Sequence, residues 1–302
     1  MVDTFFISHV LGADGLTALN LAVPIFSFIN GISLLLGMGG ATKYSIFKSR
    51  RQDKESNIVF TNTIYLAAFF SILFVLIGIF FSEPLTLALG ANESVFEITH
   101  VYLKVMLLFS PAFIFNGILN CFVRNDGNPR LAMIAMATGS ILNIVLDYIF
   151  MYPLKMGMFG AVLATCLSPI ISMIVLLKYK IKKENNLHII KTKLQSRMTR
   201  DTLFIGFPSL IGELASGVVM IVFNMIILNL MGNIGVAAYG VVSSISAIVI
   251  SIYNGIAQGV QPLVSREYGR KNKPNVIRFF RYSMITILIV SATIYLITSF
   301  ID

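Results

Sequence analysis

Eight apolar stretches, each long enough to cross a bilayer, dominate this 302-residue chain. They cover roughly residues 18–42, 58–81, 99–123, 131–152, 159–178, 202–231, 236–263 and 279–301. A bilayer's hydrocarbon is about 30 Å thick and a helix rises about 1.5 Å per residue, so about 20 apolar residues make one span. In lipid a segment must satisfy its own backbone hydrogen bonds, which a single apolar segment does only as a helix. The fold class expected is therefore an all-α membrane protein. A ninth apolar piece, residues 1–11, is about 16 Å long, half the hydrocarbon thickness. It lacks the basic flank of a signal peptide and reads as part of a first helix, so about nine helices are expected with the first partial. Only 12% of the residues are charged and 56% are hydrophobic, whereas soluble domains carry about a quarter charged.

The charges fall in a pattern. Of the 23 Lys and Arg residues, all but Lys104 and Lys155 lie in or beside alternate loops. These loops follow the stretches ending near residues 42, 123, 178 and 263. The positive-inside rule then predicts a multi-pass protein of the plasma membrane with these loops in the cytoplasm. A net charge of +9 raises the possibility of nucleic acid, but the basic residues sit between apolar runs without interleaved aromatics, and no nucleic-acid partner is expected. Cys121 and Cys166 lie in apolar segments and read as small buried side chains. His9, His100 and His188 make no metal or catalytic spacing, and no phosphate-binding Gly-Lys-Ser or Gly-Lys-Thr loop appears. No cofactor and no enzymatic activity are expected.

Three acids are embedded in the apolar stretches: Asp3, Asp147 and Glu213. A carboxylate in hydrocarbon is costly, so its default reading is an ion or proton site. Asp147 carries the strongest signal, because Asn143 lies one helical turn earlier on the same face. Carboxylate, amide and hydroxyl oxygens suit hard cations. A desolvated carboxyl with a like-charged neighbour suits a proton. The structural alternative is a hydrogen-bonded clamp between helices, the role expected of Asn116 and Asn120. Asp147 should lie in the outer half of the membrane. Asp3, about 13 Å of helix before Gly12, reaches a similar depth. Pro111, Pro169 and Pro208 are expected to kink their helices. Met220 and Met225 read as packing residues or as the lining of an adaptable cleft.

Part of the chain repeats. Leu11-Gly12-Ala13-Asp14-Gly15 is echoed by Met231-Gly232-Asn233-Ile234-Gly235, and Arg51-Gln52-Asp53-Lys54 by Arg270-Lys271-Asn272-Lys273. The shift is 220 residues in the first match and 219 in the second. Internal repeats around a midplane site are usual in secondary transporters. The basic connector 181–201 then separates an N-terminal six-helix lobe, 1–180, from a partial C-terminal lobe of three helices, 202–302. It is expected to be a cytoplasmic linker in contact with anionic lipid. Measured by the repeat, about 20 residues of the first helix are missing, and the second lobe stops half-built. The expectation is a chain cut at both ends, or a shortened gene model.

The sequence resembles the multidrug and toxic compound extrusion (MATE) transporters. The resemblance rests on Val2-Asp3-Thr4-Phe5-Phe6 with Leu11-Gly12. It rests also on Arg124-Asn125-Asp126-Gly127-Asn128-Pro129 followed by Asn143-Ile144-Val145-Leu146-Asp147-Tyr148, and on Gly157 to Thr165. Gly206-Phe207-Pro208, Ala238-Tyr239-Gly240-Val241 and Gly259-Val260-Gln261-Pro262-Leu263-Val264 complete it. It implies two pseudo-repeated bundles of a 12-helix transporter, acting as a monomer. The implied activity is export of small organic cations, including drugs, in exchange for protons or sodium. It implies an ion or proton site at Asp3, Asn143, Asp147 and Thr165, with Tyr102 as a further member and Glu213 as a C-lobe candidate. Sodium at the Asp3/Asp147 cluster is the one metal it allows.

Two other readings are open at this stage. A related lipid-linked oligosaccharide flippase would need Arg or Lys inside the helices for a pyrophosphate, and almost none is there. A membrane-embedded aspartyl enzyme would use Asp3 and Asp147 as a dyad, but the Asn and Thr beside them favour ion ligation.

Overall fold

The computed structural model describes residues 2–181 and 185–299. Between 220 and 245 the helical backbone is described, while most side chains, Met220 and Met225 among them, lie outside the described set. The described chain is helical, with no strand. Its elements are α1 (Val2–Ser49), α2 (Asp53–Phe80), α3 (Ser82–Ala88), α4 (Phe96–Leu108), α5 (Ser110–Asn125), α6 (Pro129–Met151), α7 (Gly157–Ile181), α8 (Ser196–Gly269) and α9 (Lys273–Ser299). Seven helical segments are long and apolar enough to span a bilayer, and α4 with α5 makes an eighth if the bent pair counts as one.

The divisions differ from the sequence expectation in four places, each for a local reason. The short first piece and the second stretch join in α1, across a break at Gly12. Its φ of 62° and ψ of −147° suit glycine and almost nothing else. Stretch 99–123 is broken at Phe109 and bent by 48°, because Pro111 cannot supply the N–H that a continuous helix needs. Ser82–Ala88 forms a short helix where a loop was expected, with Ser82 and Thr86 buried. Finally, no loop separates 202–231 from 236–263: α8 is helical throughout its 74 residues. A straight rod of that length would measure about 110 Å, more than three hydrocarbon thicknesses. It therefore supplies two spans, Ser196–Val219 and Ser246–Gly269. Helix assignment runs through Pro169 and Pro208 without interruption.

The chain divides into two compact units. Unit 1 holds Met1–Ala41 and Asn57–Ile221; unit 2 holds Thr42–Ser56 and Val222–Asp302. These boundaries group residues by proximity, whereas the division at the basic connector is one of chain order.

Unit 1 is a bundle whose helices are tied by aromatic contacts. Phe26 meets Phe113, Phe28 meets Phe74 and Phe60 meets Phe122, tying α1, α2 and α5 together. The first part of α8 runs antiparallel along α1. Gly39 lies against the Thr202 carbonyl, Gly206 against the Leu35 carbonyl, and Gly31 against Leu210. Lipid tails offer no hydrophobic drive to bring helices together, so small residues that let backbones approach are the usual contact.

The flanks of the basic loops meet at one end of unit 1. The Asp126 carboxylate, between α5 and α6, accepts from Tyr179 Oη (2.7 Å) and from Asn186 N (3.0 Å). The connector continues across the start of α2, where His188 N donates to Asn57 Oδ1 (2.9 Å) and Ile190 N to Thr61 Oγ1 (3.1 Å). Residues 185–190 are therefore a strap pinned to the bundle, not a free linker. At the far end, Phe6 and His9 pack on Tyr152 beside the α6–α7 loop.

Unit 2 joins the two repeat turns and corrects their register. Arg51 (φ 59°) and Lys271 (φ 60°) both adopt the left-handed conformation at a helix end. Gln52 N donates to the Phe47 carbonyl and Asn272 N to the Glu267 carbonyl. Arg51 N likewise donates to Lys48 O and Lys271 N to Tyr268 O, completing the same two-bond cap in each turn. The helices that follow start at Asp53 and Lys273. Every equivalence is at a shift of 220, so Arg51 pairs with Lys271 and not with Arg270. The turns also touch: Arg50 Nε donates to Gly269 O (3.1 Å), and Ser49 lies against Gly269, its own equivalent. Contact between equivalent positions is what a two-fold relation between the copies produces.

Candidate functional site

Four helices of unit 1 bring polar side chains to one point. The short limb of α1 before Gly12 carries Asp3, α4 carries Tyr102, α6 carries Asn143 and Asp147, and α7 carries Thr165. Helices α6 and α7 approach closely where Gly139 faces Ser168 and Ser172, and a Cβ there would sit tightly, 3.0 Å from the Ser168 carbonyl. Asn128 caps the start of α6 by accepting from Leu131 N at 3.1 Å, the role its short polar side chain favours. Ile7 is buried and Leu11 reaches Gly157, so the α1 limb is held against the α6–α7 pair.

Asp147 has 0% exposure. Neither of its carboxylate oxygens accepts from an N–H or hydroxyl among the described residues, and Asn143 Nδ2 has no acceptor there; the Asp3 carboxyl alone comes within hydrogen-bonding reach of Asp147. Asp147 lies four residues before the end of α6 at Met151, about 6 Å from that helix end. Asp3 is the acid close enough to interact with it electrostatically. Thr165 Oγ1 lies 3.3 Å from Asp3 Oδ2 and 3.1 Å from the Ala161 carbonyl. One hydroxyl hydrogen serves two acceptors there. The Tyr102 side chain is buried with Asp3, Asp147, Thr165 and Cys166 as its polar neighbours.

The arrangement bears on the two readings of Asn143 and Asp147. A clamp would show an N–H or hydroxyl of a neighbouring helix bonded to one of them, and among the described residues there is none; only the Asp3 carboxyl reaches Asp147. An unmade bond at a buried polar atom costs about 1–3 kcal/mol, and more for a charged group. Two acids, a hydroxyl and a phenol around such atoms form a pocket of oxygens that a proton or a hard cation would complete. No group of three or more His, Cys, Asp or Glu that could hold a metal occurs among the described residues. The oxygen set is of mixed type and fits sodium better than a transition metal.

Glu213 stands elsewhere. Its Cβ faces Gly31 of α1, about 28 Å of helix beyond Gly12, whereas Asp3 is about 13 Å before it. It does not join the cluster. Asn116 and Asn120 bond to each other within α5, Nδ2 to Oδ1 at 2.9 Å, rather than between helices as expected. Sequence reasoning missed the pinned strap at Asp126, Asn57 and Thr61. The polar run Asn57-Thr61-Asn62-Thr63 in an otherwise apolar helix was the signal for it.

Fold and site together define a multi-pass helical membrane protein with a buried carboxylate–hydroxyl cluster inside one bundle. The sequence profile of the MatE family matches residues 1–149 and 208–302, and the chain belongs to that family. Asp3, Tyr102, Asn143 and Asp147 lie in the matched stretches; Thr165 lies between them. The multidrug export protein MepA of Staphylococcus saprophyticus is 28% identical over 297 residues, covering 97% of this chain and 65% of its own length. MepA of Staphylococcus aureus is 27% identical over 270 residues, 89% of this chain and 60% of its own. This chain thus spans less than two thirds of the curated relatives it matches. A multidrug resistance MATE transporter solved in an outward-facing conformation superposes with a TM-score of 0.88 at 26% identity, over 99% of this chain and 67% of that one. A transporter of the MOP superfamily from Pyrococcus furiosus superposes at 0.86 with 24% identity, over 97% and 65%. The latter speaks for the fold alone.

Proposed function

We propose that this chain is the ion-coupled part of a secondary-active multidrug exporter, which expels small organic cations in exchange for protons or sodium. One observation carries the reading: Asp147 is fully enclosed, no N–H or hydroxyl among the described residues donates to its oxygens, and the one group within hydrogen-bonding reach is a second acid, Asp3. A proton or sodium ion entering between Asp3 and Asp147 relieves both the missing bonds and the repulsion. Thr165 and Asn143 offer a hydroxyl and an amide to the same ion.

Coupling follows from geometry. Asp3 sits on a limb joined to the rest of α1 only through the Gly12 break. Loading the site draws that limb toward α6 and α7, and emptying it lets the limb move. An ion that favours one position of the limb shifts the population of conformers, and that differential affinity links ion flow to export. The name of the relatives, multidrug export protein, supports export of drugs. In this reading residues 1–180 form the N-terminal lobe, 181–201 a cytoplasmic connector and 202–302 part of the C-terminal lobe. The basic loops face the cytoplasm, the protein resides in the plasma membrane, and it works as a monomer. Glu213, apart from the cluster, serves the C-lobe separately.

The test is ethidium efflux from cells expressing the protein, wild type against Asp147→Asn, with equal amounts in the membrane. Efflux driven by an ion gradient should vanish in the variant. Undiminished efflux would remove Asp147 from the coupling site.

A further inference from the structure

A cavity of about 640 Å³ lies at the basic end of unit 1, between α2, α5 and α7 and under the strap. Phe60 and Ile64 of α2, Leu119 of α5, Leu176 of α7 and Leu187 and Ile189 of the strap supply most of its apolar wall. Its size falls in the range of ligand pockets, about 300–1,000 Å³. We propose that it holds one acyl chain of an anionic phospholipid, whose phosphate rests against the lysines that flank the strap. The proposal does not depend on ion-coupled export.

Three observations lead there. The first is construction. The strap is pinned by Asn186 N to Asp126, His188 N to Asn57 and Ile190 N to Thr61. These bonds hold Leu187 and Ile189 at the cavity, so the wall is built and not a chance gap. Leu187 is buried, while Ile189 is 65% exposed and forms an open apolar rim.

The second is depth. Ile64 lies eleven residues into α2, and Phe115, also on the wall, lies ten residues from the end of α5. Both distances are about 15 Å of helix, half of the hydrocarbon and so one leaflet. A chain entering from the strap end and stopping at these residues has the length of a leaflet's acyl tail.

The third is charge. Lys178, between the lining residues Leu177 and Tyr179, is exposed, and so are Lys191 and Lys193 just past the rim. Asp126, the acid in this network, is engaged by Tyr179 and Asn186. A basic rim attracts an anionic headgroup and repels an organic cation, so the cavity does not suit the proposed export substrates.

The experiment uses the purified full chain in detergent with phosphatidylglycerol bearing a photoactivatable group on one acyl chain. Crosslinked peptides, mapped by mass spectrometry, should concentrate in residues 57–64, 115–123 and 176–190. Unlabelled phosphatidylglycerol should displace the probe and phosphatidylcholine should not. Lys191→Gln with Lys193→Gln, both on the surface, should weaken displacement about thirtyfold. Leu119→Trp should fill the cavity and abolish crosslinking there. Should that variant fail to fold, the lysine pair still decides. Crosslinks spread evenly over all the helices, equal displacement by phosphatidylcholine, or displacement by glycerol phosphate alone would overturn the proposal. The last would indicate an anion site without a chain.

Discussion

If Asp147 is completed by an ion, the ion must stabilise the fold, and Asp147→Asn must abolish that gain. A buried oxygen that accepts from no N–H or hydroxyl costs about 1–3 kcal/mol, so up to about 6 kcal/mol is open to relief on binding across the two oxygens. A ligand present at 100 times its Kd stabilises by about 2.7 kcal/mol, which lies within that range. At about 2–4 °C per kcal/mol for large domains, the melting temperature should rise by about 5–10 °C as the site fills. The protein has no Trp and two cysteines, and both cysteines are free and buried. A thiol-reactive fluorophore therefore reports unfolding directly. The melt is followed across a sodium titration at fixed pH, and across pH without sodium. Wild type should respond to one of the two, which also identifies the coupling ion. Asp147→Asn retains the shape but not the charge, so its melting temperature should be flat across sodium and, across pH, should lose the part of the wild-type response that Asp147 supplies. An unchanged ion response in the variant, or none in wild type under either titration, would refute the reasoning. It would return Asp147 to a purely structural role.

Thr165→Val removes the hydroxyl near Asp3; with a bond to a charged group worth about 1.5–3 kcal/mol, ion affinity in the same melt should fall at least about tenfold, and Thr165→Ser should restore it. Gly206→Val drives a side chain into the Leu35 carbonyl, so the melting temperature should fall by several degrees, since overpacking costs about 1–3 kcal/mol. Arg51→Gly and Lys271→Gly each relieve a left-handed backbone and should stabilise alike, by about 1 kcal/mol. Arg270→Gly should not, because it loses the 3.0 Å bond to Glu267 and gains no relief; the three melts together test the 220-residue register. Asp126→Ala should free the strap, seen as faster hydrogen exchange at Asn186, His188 and Ile190.

The all-helical membrane class and the burial of Asp147 were legible in the chain, whereas the span count, seven or eight where eight and a partial helix were expected, was legible only nearly. Each reflects the cost of moving a residue from water into hydrocarbon, which depends on that residue and its neighbours along one helix. Asn143 and Asp147 could be paired for the same reason: four residues apart is a local distance. The repeat was visible too, but with a shift that drifted from 220 to 219. Only the matched left-handed residues, Arg51 and Lys271, set it right, since backbone conformation at a helix end is shared where side-chain identity is not.

What tertiary structure decided is everything that requires two helices to meet. It brought Asp3 and Thr165 together across 162 residues, left Asp147 with a second acid as its one neighbour in reach, and set Glu213 beside Gly31 instead of in the cluster. It turned a basic linker into a strap over an apolar cavity. Hydropathy assigns a residue to the membrane but does not say which neighbour it faces there. In lipid that choice rests on close packing, through glycines such as Gly39 and Gly206, and on the few polar groups that find each other. The chain alone thus determined that a carboxylate lies in an apolar helix; the packing of α1, α4, α6 and α7 determined that Asp3, Thr165 and Tyr102 surround it.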